Sequence, residues 1–200
     1  MIDLAPPSAT GAAEAAARFA ATAPADVHYA IVDTPVGRLV AARTEHGLAR
    51  LAYEDFNGGT DAILEGLAQR ISPRILEGEA KLDDVRRELD EYFAGTRTAF
   101  DLPLDFSYVK GAFGRLILEA CSTIPFGEVS TYGAMAVQAG SAKAVRAAGN
   151  ALGANPIPIV VPCHRVLRTG GGLGGYTGGI DRKETLLALE GGPPVRAERR

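Results

Sequence analysis

The stretch Asn155-Pro156-Ile157-Pro158-Ile159-Val160-Val161-Pro162-Cys163-His164-Arg165-Val166 places one cysteine at the end of a short apolar run. Each of its three prolines fixes its own φ and lacks a donor N–H, and each favours extended geometry for the residue before it. The pattern therefore predicts a stiff, strand-like segment that holds Cys163 in one position. Such stiffness suits a nucleophile that must be aimed at its target.

Cys163 has two interpretations. Free cysteines are usually buried and unreactive, so a cysteine after Ile-Val-Val is compatible with a place in the core. Against this, His164 and Arg165 bring positive charge next to the thiol, which favours the thiolate. Pro162 is also more typical of a strand end than of a central strand. The residues thus favour a reactive thiol.

The charged residues are unevenly distributed along the 200-residue chain, whose net charge is −3. Residues 1–105 contain 10 Lys and Arg against 18 Asp and Glu, a balance of −8, whereas residues 106–200 contain 11 against 6, a balance of +5. A basic half that carries Cys163 can meet a polyanion while the acidic half faces away. Hydrophobic residues make up 46% of the chain, enough for the core of one domain or two small ones.

Cysteine and histidine usage argues against a disulfide framework and against a metal site. The two cysteines and three histidines form no pairs at zinc-ligand spacing. The N-terminus lacks the cationic region and apolar run of a signal peptide, and no apolar stretch approaches the ~20 residues of a membrane helix. We expect a cytoplasmic protein with reduced thiols, no membrane association and no bound metal or cofactor.

The N-terminal half predicts a small antiparallel sheet with helices. β-rich segments separated by turn residues are typical of a meander, and they occupy 29–33, 38–43 and 48–53. Apolar periodicity predicts helices over 61–71 and 82–94, and the second ends at Gly95. An extended link over 100–106 follows.

The C-terminal half predicts mostly helix. Apolar periodicity indicates a helix over 108–123 that carries Cys121 on its buried face, a structural position. Two short helices over about 130–153 have the arrangement of a helix-turn-helix, with Ser130 or Thr131 as the first N-cap and Ser141 as the second. Residues of the second helix form a cationic outer face, although such faces are often merely solvated: Lys143, Arg146 and Asn150.

Several of these stretches together resemble the O6-alkylguanine-DNA alkyltransferases, also called methylated-DNA–protein-cysteine methyltransferases. The most specific is Pro162-Cys-His-Arg-Val166 with Asn155-Pro upstream. Ile124-Pro-Phe-Gly-Glu-Val-Ser-Thr-Tyr132 resembles the segment that leads into the family's helix-turn-helix. Gly175-Tyr-Thr-Gly-Gly179 lies at the family's spacing from the cysteine, and the match runs from about residue 28 to residue 191.

The resemblance implies a nucleophile and its supporting groups. Cys163 would take an alkyl group from O6 of a damaged guanine, activated by His164 through a bound water, and Glu190 would orient the histidine. Asn155 would hold the turn before the active-site strand. Tyr132 would displace the target phosphate and donate a proton to guanine N3.

The resemblance also implies how duplex DNA is held, since a buried thiol reaches guanine O6 only when the base is flipped out. Arg146 would fill the gap in the base stack, while Ala144 and Ala147 would let the second helix sit close in the minor groove, with Lys143 beside them. The implied pocket for the flipped base consists of Leu152, Val166, Tyr176 and Thr177, supported by Lys183.

These inferences amount to an α+β fold with a DNA-repair function. We predict a mobile tail over 1–26, an N-terminal α/β domain over 27–101, and a disordered tail over 192–200. Between them, residues 102–191 would form a mostly helical alkyltransferase domain with the helix-turn-helix and a short active-site strand. The predicted partner is double-stranded DNA carrying O6-alkylguanine, bound through its minor groove by a monomer.

Two alternatives stay open beside repair: a lesion-binding protein that leaves Cys163 unused, and a helix-turn-helix regulator in which the thiol is idle. A cysteine hydrolase is disfavoured, because its histidine usually comes from a distant segment. Repair would convert Cys163 to a thioether, which water does not hydrolyse. The repair interpretation therefore predicts one turnover per molecule.

Overall fold

The computed structural model describes residues 25–192, so the predicted tails lie outside the described residues except for their innermost positions. The strands are β1 (Val27–Val32), β2 (Leu39–Thr44), β3 (Gly47–Tyr53), β4 (Ile75–Glu77), β5 (Ser130–Thr131) and β6 (Val166–Leu167). The helices are α1 (Thr60–Arg70), α2 (Asp83–Phe93), α3 (Ala112–Ser122), α4 (Tyr132–Gln138), α5 (Val145–Gly153) and α6 (Ile180–Leu189). In this part of the chain no helix has the length and apolar character needed to cross a bilayer.

The N-terminal sheet is mixed, with the strand order β3-β2-β1-β4. The meander β1-β2-β3 is antiparallel, as predicted. The fourth strand, β4, pairs parallel with β1 and brings Ile75 beside Val27. Three residues are too few to show a periodic pattern, so the sequence did not reveal β4. The predicted α+β fold class is confirmed. The prediction of a purely antiparallel sheet is corrected by the parallel edge strand β4.

The sheet is buried on both faces. Because side chains alternate along a strand, Leu39 and Ala41 of β2 face the larger core, whereas Val40 and Ala42 face a second, smaller core. The smaller core lies under α1, which contributes Ile63 and Leu67. The larger core includes the C-terminal half, which therefore packs directly on the sheet.

One continuous core joins the two halves of the chain. It contains Tyr53 and Leu89 from the first half and Ile117, Cys121 and Leu186 from the second, each fully buried. The structural position predicted for Cys121 is therefore confirmed. Since burying a side chain of this size stabilises a fold by about 1.5–3 kcal/mol, the sheet provides a rigid base for the second half.

The link between the halves runs extended along the edge of β3, as predicted. The N–H of Leu48 donates to the carbonyl of Pro103 at 2.8 Å, and the N–H of Asp105 donates to the carbonyl of Leu48 at 2.9 Å. Gly47 permits this approach, because a Cβ there would lie 2.2 Å from the oxygen of Pro103. Its φ of 136° is also one that glycine tolerates best.

The helix predicted over 108–123 begins later, at Ala112. Residues Phe106–Tyr108 form a separate 3-10 turn, and Gly111 has a φ of 76°, which interrupts helical geometry before α3 starts. Periodicity identified the buried face of α3 correctly, but it does not reveal where a preceding turn changes direction.

Candidate active site

The segment that leads to Cys163 folds as a tight turn, which corrects the predicted strand. The N–H of Val161 donates to the carbonyl of Ile157 at 2.9 Å, and Ile159 has a φ of 74°. Prolines lack the N–H that a strand ladder requires, so the segment closes on itself instead. A positive φ at a β-branched residue is strained, which marks a segment held in place by its surroundings.

Cys163 itself opens a 3-10 turn, Cys163–Arg165, and the short strand follows the cysteine rather than preceding it. This strand, β6, pairs parallel with β5, so that Val166 lies opposite Ser130. The pairing ties the cysteine turn to the segment just before α4. The thiol is therefore positioned from both sides by backbone contacts.

Asn155 holds the thiol directly. Its Nδ2 donates to Sγ of Cys163 at 3.1 Å and to the carbonyl of Val161 at 2.8 Å, while its Oδ1 accepts from the N–H of Ile157 at 3.0 Å. One buried amide thus fixes the turn and the sulfur together. This geometry agrees with the place predicted for Asn155 at the turn before the cysteine.

The thiol of Cys163 is protonated at neutral pH. Burial raises its pKa to about 11, and the hydrogen bond from Asn155 and the charge of Lys183 offset this only in part. The expectation that His164 and Arg165 favour the thiolate through their charge is therefore wrong. Burial outweighs them, and the guanidinium of Arg165 is bound elsewhere. A thiol of this kind needs a base.

His164, the next residue, is a neutral histidine. It is fully buried, and burial lowers its pKa below the usual range, which keeps the ring neutral. Its Nε2 lies 2.9 Å from Oε1 of Glu190. Because an ionised carboxylate only accepts hydrogen bonds, Nε2 carries the hydrogen and Nδ1 carries the lone pair. Nδ1 is buried and has no hydrogen-bond partner among the described residues.

Glu190 is the centre of a buried polar network. Its Oε1 accepts from the hydroxyl of Tyr92 at 2.6 Å and from Nη2 of Arg165 at 2.8 Å, and its Oε2 accepts from Nε of Arg165 at 2.8 Å. Burial opposes ionisation, but the hydrogen bonds from His164 and Arg165 outweigh it and lower the pKa of Glu190 to about 2. The carboxylate is therefore ionised throughout the physiological range.

A cleft of about 690 Å3 opens above Cys163. Of the predicted pocket residues, Leu152, Tyr176 and Thr177 line it. Tyr132 lines it as well, and its hydroxyl donates to the carbonyl of Gly175 at 3.4 Å. The cleft therefore collects a thiol, aromatic walls and a hydroxyl donor in one place.

The helix-turn-helix forms beside this cleft. Thr131 caps α4, because its Oγ1 accepts from the N–H of Ala134 at 3.1 Å, as predicted. The cap predicted at Ser141 is wrong: the N–H of Ala144 donates to the carbonyl of Ser141 at 2.9 Å, which forms a turn, and α5 starts at Val145. Because Ser141 is the first residue of this turn, it lies too far before the start of α5 to act as its N-cap. Residues predicted to contact DNA lie before or in the first turn of α5: Lys143, Ala144, Arg146 and Ala147.

Two family models match this chain, one in each half. Residues 112–192 match the family model described as "6-O-methylguanine DNA methyltransferase, DNA binding domain". Residues 27–106 match the model described as "6-O-methylguanine DNA methyltransferase, ribonuclease-like domain". The chain belongs to the 6-O-methylguanine DNA methyltransferase family. The matches span both halves of this methyltransferase.

Individual relatives are similar over most of their length. The methylated-DNA–protein-cysteine methyltransferase of Mycolicibacterium paratuberculosis is 42% identical over 165 residues, covering 82% of this chain and 92% of the relative. That of Methanosarcina acetivorans is 39% identical, covering 82% and 99%. The crystal structure of Mycobacterium tuberculosis OGT in complex with DNA is similar with a TM-score of 0.70 at 38% identity, covering 82% and 92%. DNA is thus the partner that the similarity supports.

Lys183 and Val166 lie behind the cleft of this methyltransferase rather than in its wall. The Nζ of Lys183 donates to the carbonyls of Val166 and Leu173 at 2.6 Å each. Burial lowers the pKa of Lys183 to about 8. The lysine thereby ties β6 to the loop that contains Leu173, which is a supporting position of the kind predicted.

Sequence reasoning missed the contribution of the N-terminal half to the site. The hydroxyl of Tyr92 reaches Glu190 from α2, and the hydroxyl of Tyr53 lies 2.9 Å from that of Tyr176. Phe56, 56% exposed, lines the cleft from the loop after β3. Tyr92 fell on the apolar face predicted for its helix, and nothing in the local pattern pointed to a partner 98 residues away.

Arg165 was also undervalued, although a signal existed. It stands inside the Pro-Cys-His-Arg-Val motif, two residues after Cys163. Buried charges are usually paired, and Glu190 is the buried glutamate among residues 106–192. The planar guanidinium of Arg165 donates two parallel hydrogen bonds to Glu190, which orients the carboxylate toward His164.

Proposed function

We propose that this methyltransferase repairs DNA by moving the alkyl group of an O6-alkylguanine onto Cys163, which is consumed. The observation that carries the proposal is a buried thiol at a cleft, next to a neutral histidine whose Nε2 binds an ionised carboxylate. A base backed by a carboxylate is the general arrangement for activating a thiol.

The chemistry begins with the thiol proton. His164 Nδ1 removes it through a bridging water, and Glu190 stabilises the imidazolium that forms. Sγ of Cys163 bonds to the alkyl carbon while the bond between that carbon and O6 breaks. The electron pair of the broken bond moves onto the guanine. The hydroxyl of Tyr132 gives a proton to guanine N3, so that the base leaves neutral. The imidazolium and phenolate then return to neutrality through solvent.

The DNA is bound through its minor groove by α5. Ala144 and Ala147 are small enough for close approach, Lys143 meets a phosphate, and Arg146 occupies the space that the flipped guanine vacates. Extrusion costs a few kcal/mol, and contacts of this kind offset it. Leu152, Tyr176 and Thr177 then enclose the base, with Val166 and Lys183 behind them.

We further propose that the protein acts as a monomer in the cytoplasm. Its N-terminal domain covers 27–101 and its alkyltransferase domain covers 102–191. Residues of the first domain, such as Tyr92, support the site of the second. The proposal therefore requires the two domains to work as one unit.

Alkyl transfer is expected to stop at about one group per protein molecule. The product is a thioether, which lacks the carbonyl that water attacks in an acyl enzyme. An added methyl group also overpacks a site held by Asn155, so the alkylated protein is expected to be about 1–3 kcal/mol less stable. The assay is labelled-methyl transfer from a large excess of methylated duplex, followed by thermal unfolding.

The same assay separates the alternatives. Turnover well beyond one equivalent would contradict repair and favour a hydrolase. A folded protein that binds methylated duplex but gains no mass at Cys163 would favour a lesion-binding protein or a regulator.

Arg146→Ala is expected to slow repair of duplex DNA by roughly 10- to 100-fold, because it removes the group that compensates a flipping cost of a few kcal/mol. Reaction with free O6-benzylguanine, which needs no flipping, is expected to keep its rate. Arg115→Ala is the matched control, since it removes a similarly exposed arginine from α3. Equal losses on both substrates would remove Arg146 from this role.

A further inference from the structure

Helix α5 has a cavity on each of two flanks. One flank faces the active-site cleft through Arg146, Gly149 and Gly153. The other faces a groove of about 340 Å3, lined by Ala147 and Ala151 of α5 and by Arg70, Tyr108 and Lys110 across from them. Asn150 lines both cavities, so it marks the ridge between them. We call the second cavity the cationic groove.

The cationic groove is built with oriented positive charge. The guanidinium groups of Arg50 and Arg70 lie over the ring of Tyr108, at 4.8 Å and 4.4 Å from its centre. Such stacking holds a guanidinium plane in a defined orientation. Arg70 comes from α1 of the N-terminal half, whereas Lys110 comes from the segment just before α3. Both side chains belong to exposed residues.

Among the described residues, the two arginines stacked on Tyr108 differ from most other arginines in having no carboxylate partner. Nine of the described arginines lie within 4.0 Å of a carboxylate. Among residues 25–192, no carboxylate lies that close to the side-chain nitrogens of Arg50, Arg70 or Lys110, and the same is true of Arg146, which lines the active-site cleft. Arg70 and Lys110 line the cationic groove, and Arg50 stacks on Tyr108, another lining residue. Two exposed cations without a carboxylate partner on one groove indicate an anionic ligand outside the chain.

We propose that the cationic groove binds the sugar–phosphate backbone of the DNA strand opposite the lesion. This rests on the proposed function, in which α5 lies in the minor groove. A helix in the minor groove has one backbone on each flank. The lesion strand must lie on the flank of the cleft, because its flipped guanine enters there. The complementary strand then lies on the other flank, over Arg70 and Lys110, where arginine and lysine supply sequence-independent phosphate contacts.

The first test is the salt dependence of duplex binding by Arg70→Gln, Lys110→Gln and the double variant. Each phosphate contact contributes about −0.9 to the slope of the logarithm of the DNA-binding constant against the logarithm of the salt concentration. One contact therefore makes binding roughly eightfold tighter at 0.1 M salt than at 1 M salt. Each single variant is therefore expected to bind roughly eightfold more weakly at 0.1 M salt and to lose about one unit of slope. Arg87→Gln removes the same charge from α2, where the side chain is 62% exposed, and is expected to keep the wild-type slope.

The second test uses alkyl transfer from methylated single-stranded DNA and from free O6-benzylguanine. Loss on the duplex with wild-type rates on the single strand supports the assignment to the complementary strand. Equal losses on duplex and single strand would overturn it, as would an unchanged salt slope. Wild-type reaction with O6-benzylguanine shows that the variants are folded. If the wild-type protein itself accepts no benzyl group, the proposed function is wrong. That outcome is distinct from the one in which the wild type reacts normally but the groove variants bind duplex DNA like the wild type.

Discussion

Cys163→Ser is expected to abolish alkyl transfer and to preserve binding to methylated duplex. The thiol already depends on a base, because burial raises its pKa to about 11. A serine hydroxyl is far less acidic and a weaker nucleophile, so His164 cannot activate it sufficiently. Its shape fits the site, and Nδ2 of Asn155, now 3.1 Å from the sulfur, can donate to the new oxygen. Intact mass after incubation with O6-benzylguanine measures transfer, and gel shift measures binding.

Cys121→Ser makes the same atomic change in the core of α3 and serves as the control. It is expected to accept about one benzyl group per molecule. Its melting temperature should fall, because a hydroxyl in this apolar, fully buried position lacks a good partner and costs about 1–3 kcal/mol. If Cys121→Ser were the inactive variant and Cys163→Ser the active one, the assignment of the nucleophile would be wrong.

Glu190→Gln is expected to have the largest effect on stability. The change removes the negative charge that balances Arg165 in a buried network. Breaking such a pair from one side costs about 3–5 kcal/mol, since the other charge stays buried without compensation. The amide also no longer stabilises an imidazolium at His164, so benzyl transfer should slow as well. Urea unfolding gives the first quantity and the rate of benzyl transfer gives the second.

The pH dependence separates this charge effect from loss of packing. The folded state lowers the pKa of Glu190 from 4.5 to about 2. The carboxylate therefore contributes its full stabilisation above about pH 4.5 and loses it as the pH falls toward 2. The stability difference between wild type and Glu190→Gln should be largest near neutral pH and shrink below pH 4.5.

Tyr92→Phe is the matched control for that difference. It removes one hydrogen bond to Glu190 but keeps the charge pair, so it should cost about 1.5–3 kcal/mol. Its pH dependence should remain like that of the wild type. A difference for Glu190→Gln that does not change with pH would contradict the ionised network.

Local sequence patterns predicted much of the fold. Strand alternation identified the meander β1-β2-β3, and periodicity placed the buried faces of α2 and α3, including Cys121. Local patterns gave wrong predictions where the hydrogen-bond partner of a backbone group depends on the three-dimensional fold. The segment before Cys163 looked like a strand, but its prolines remove the donors of a ladder, and the chain closes a turn instead. Ser141 was predicted to cap a helix, but serine is common in turns as well as at helix N-caps, and here it forms a turn.

The amino-acid sequence by itself determined the cysteine with its adjacent histidine, the helix-turn-helix and the separation of an acidic half from a basic one, because these depend on neighbouring residues. Only the tertiary structure decided the state of the site. Packing buries the thiol and raises its pKa, although the flanking cations suggested the reverse. It also brings Glu190 to His164 and Arg165, and Tyr92 to Glu190 from the other half. Burial and long-range contacts depend on segments far apart in the chain, which no local pattern records.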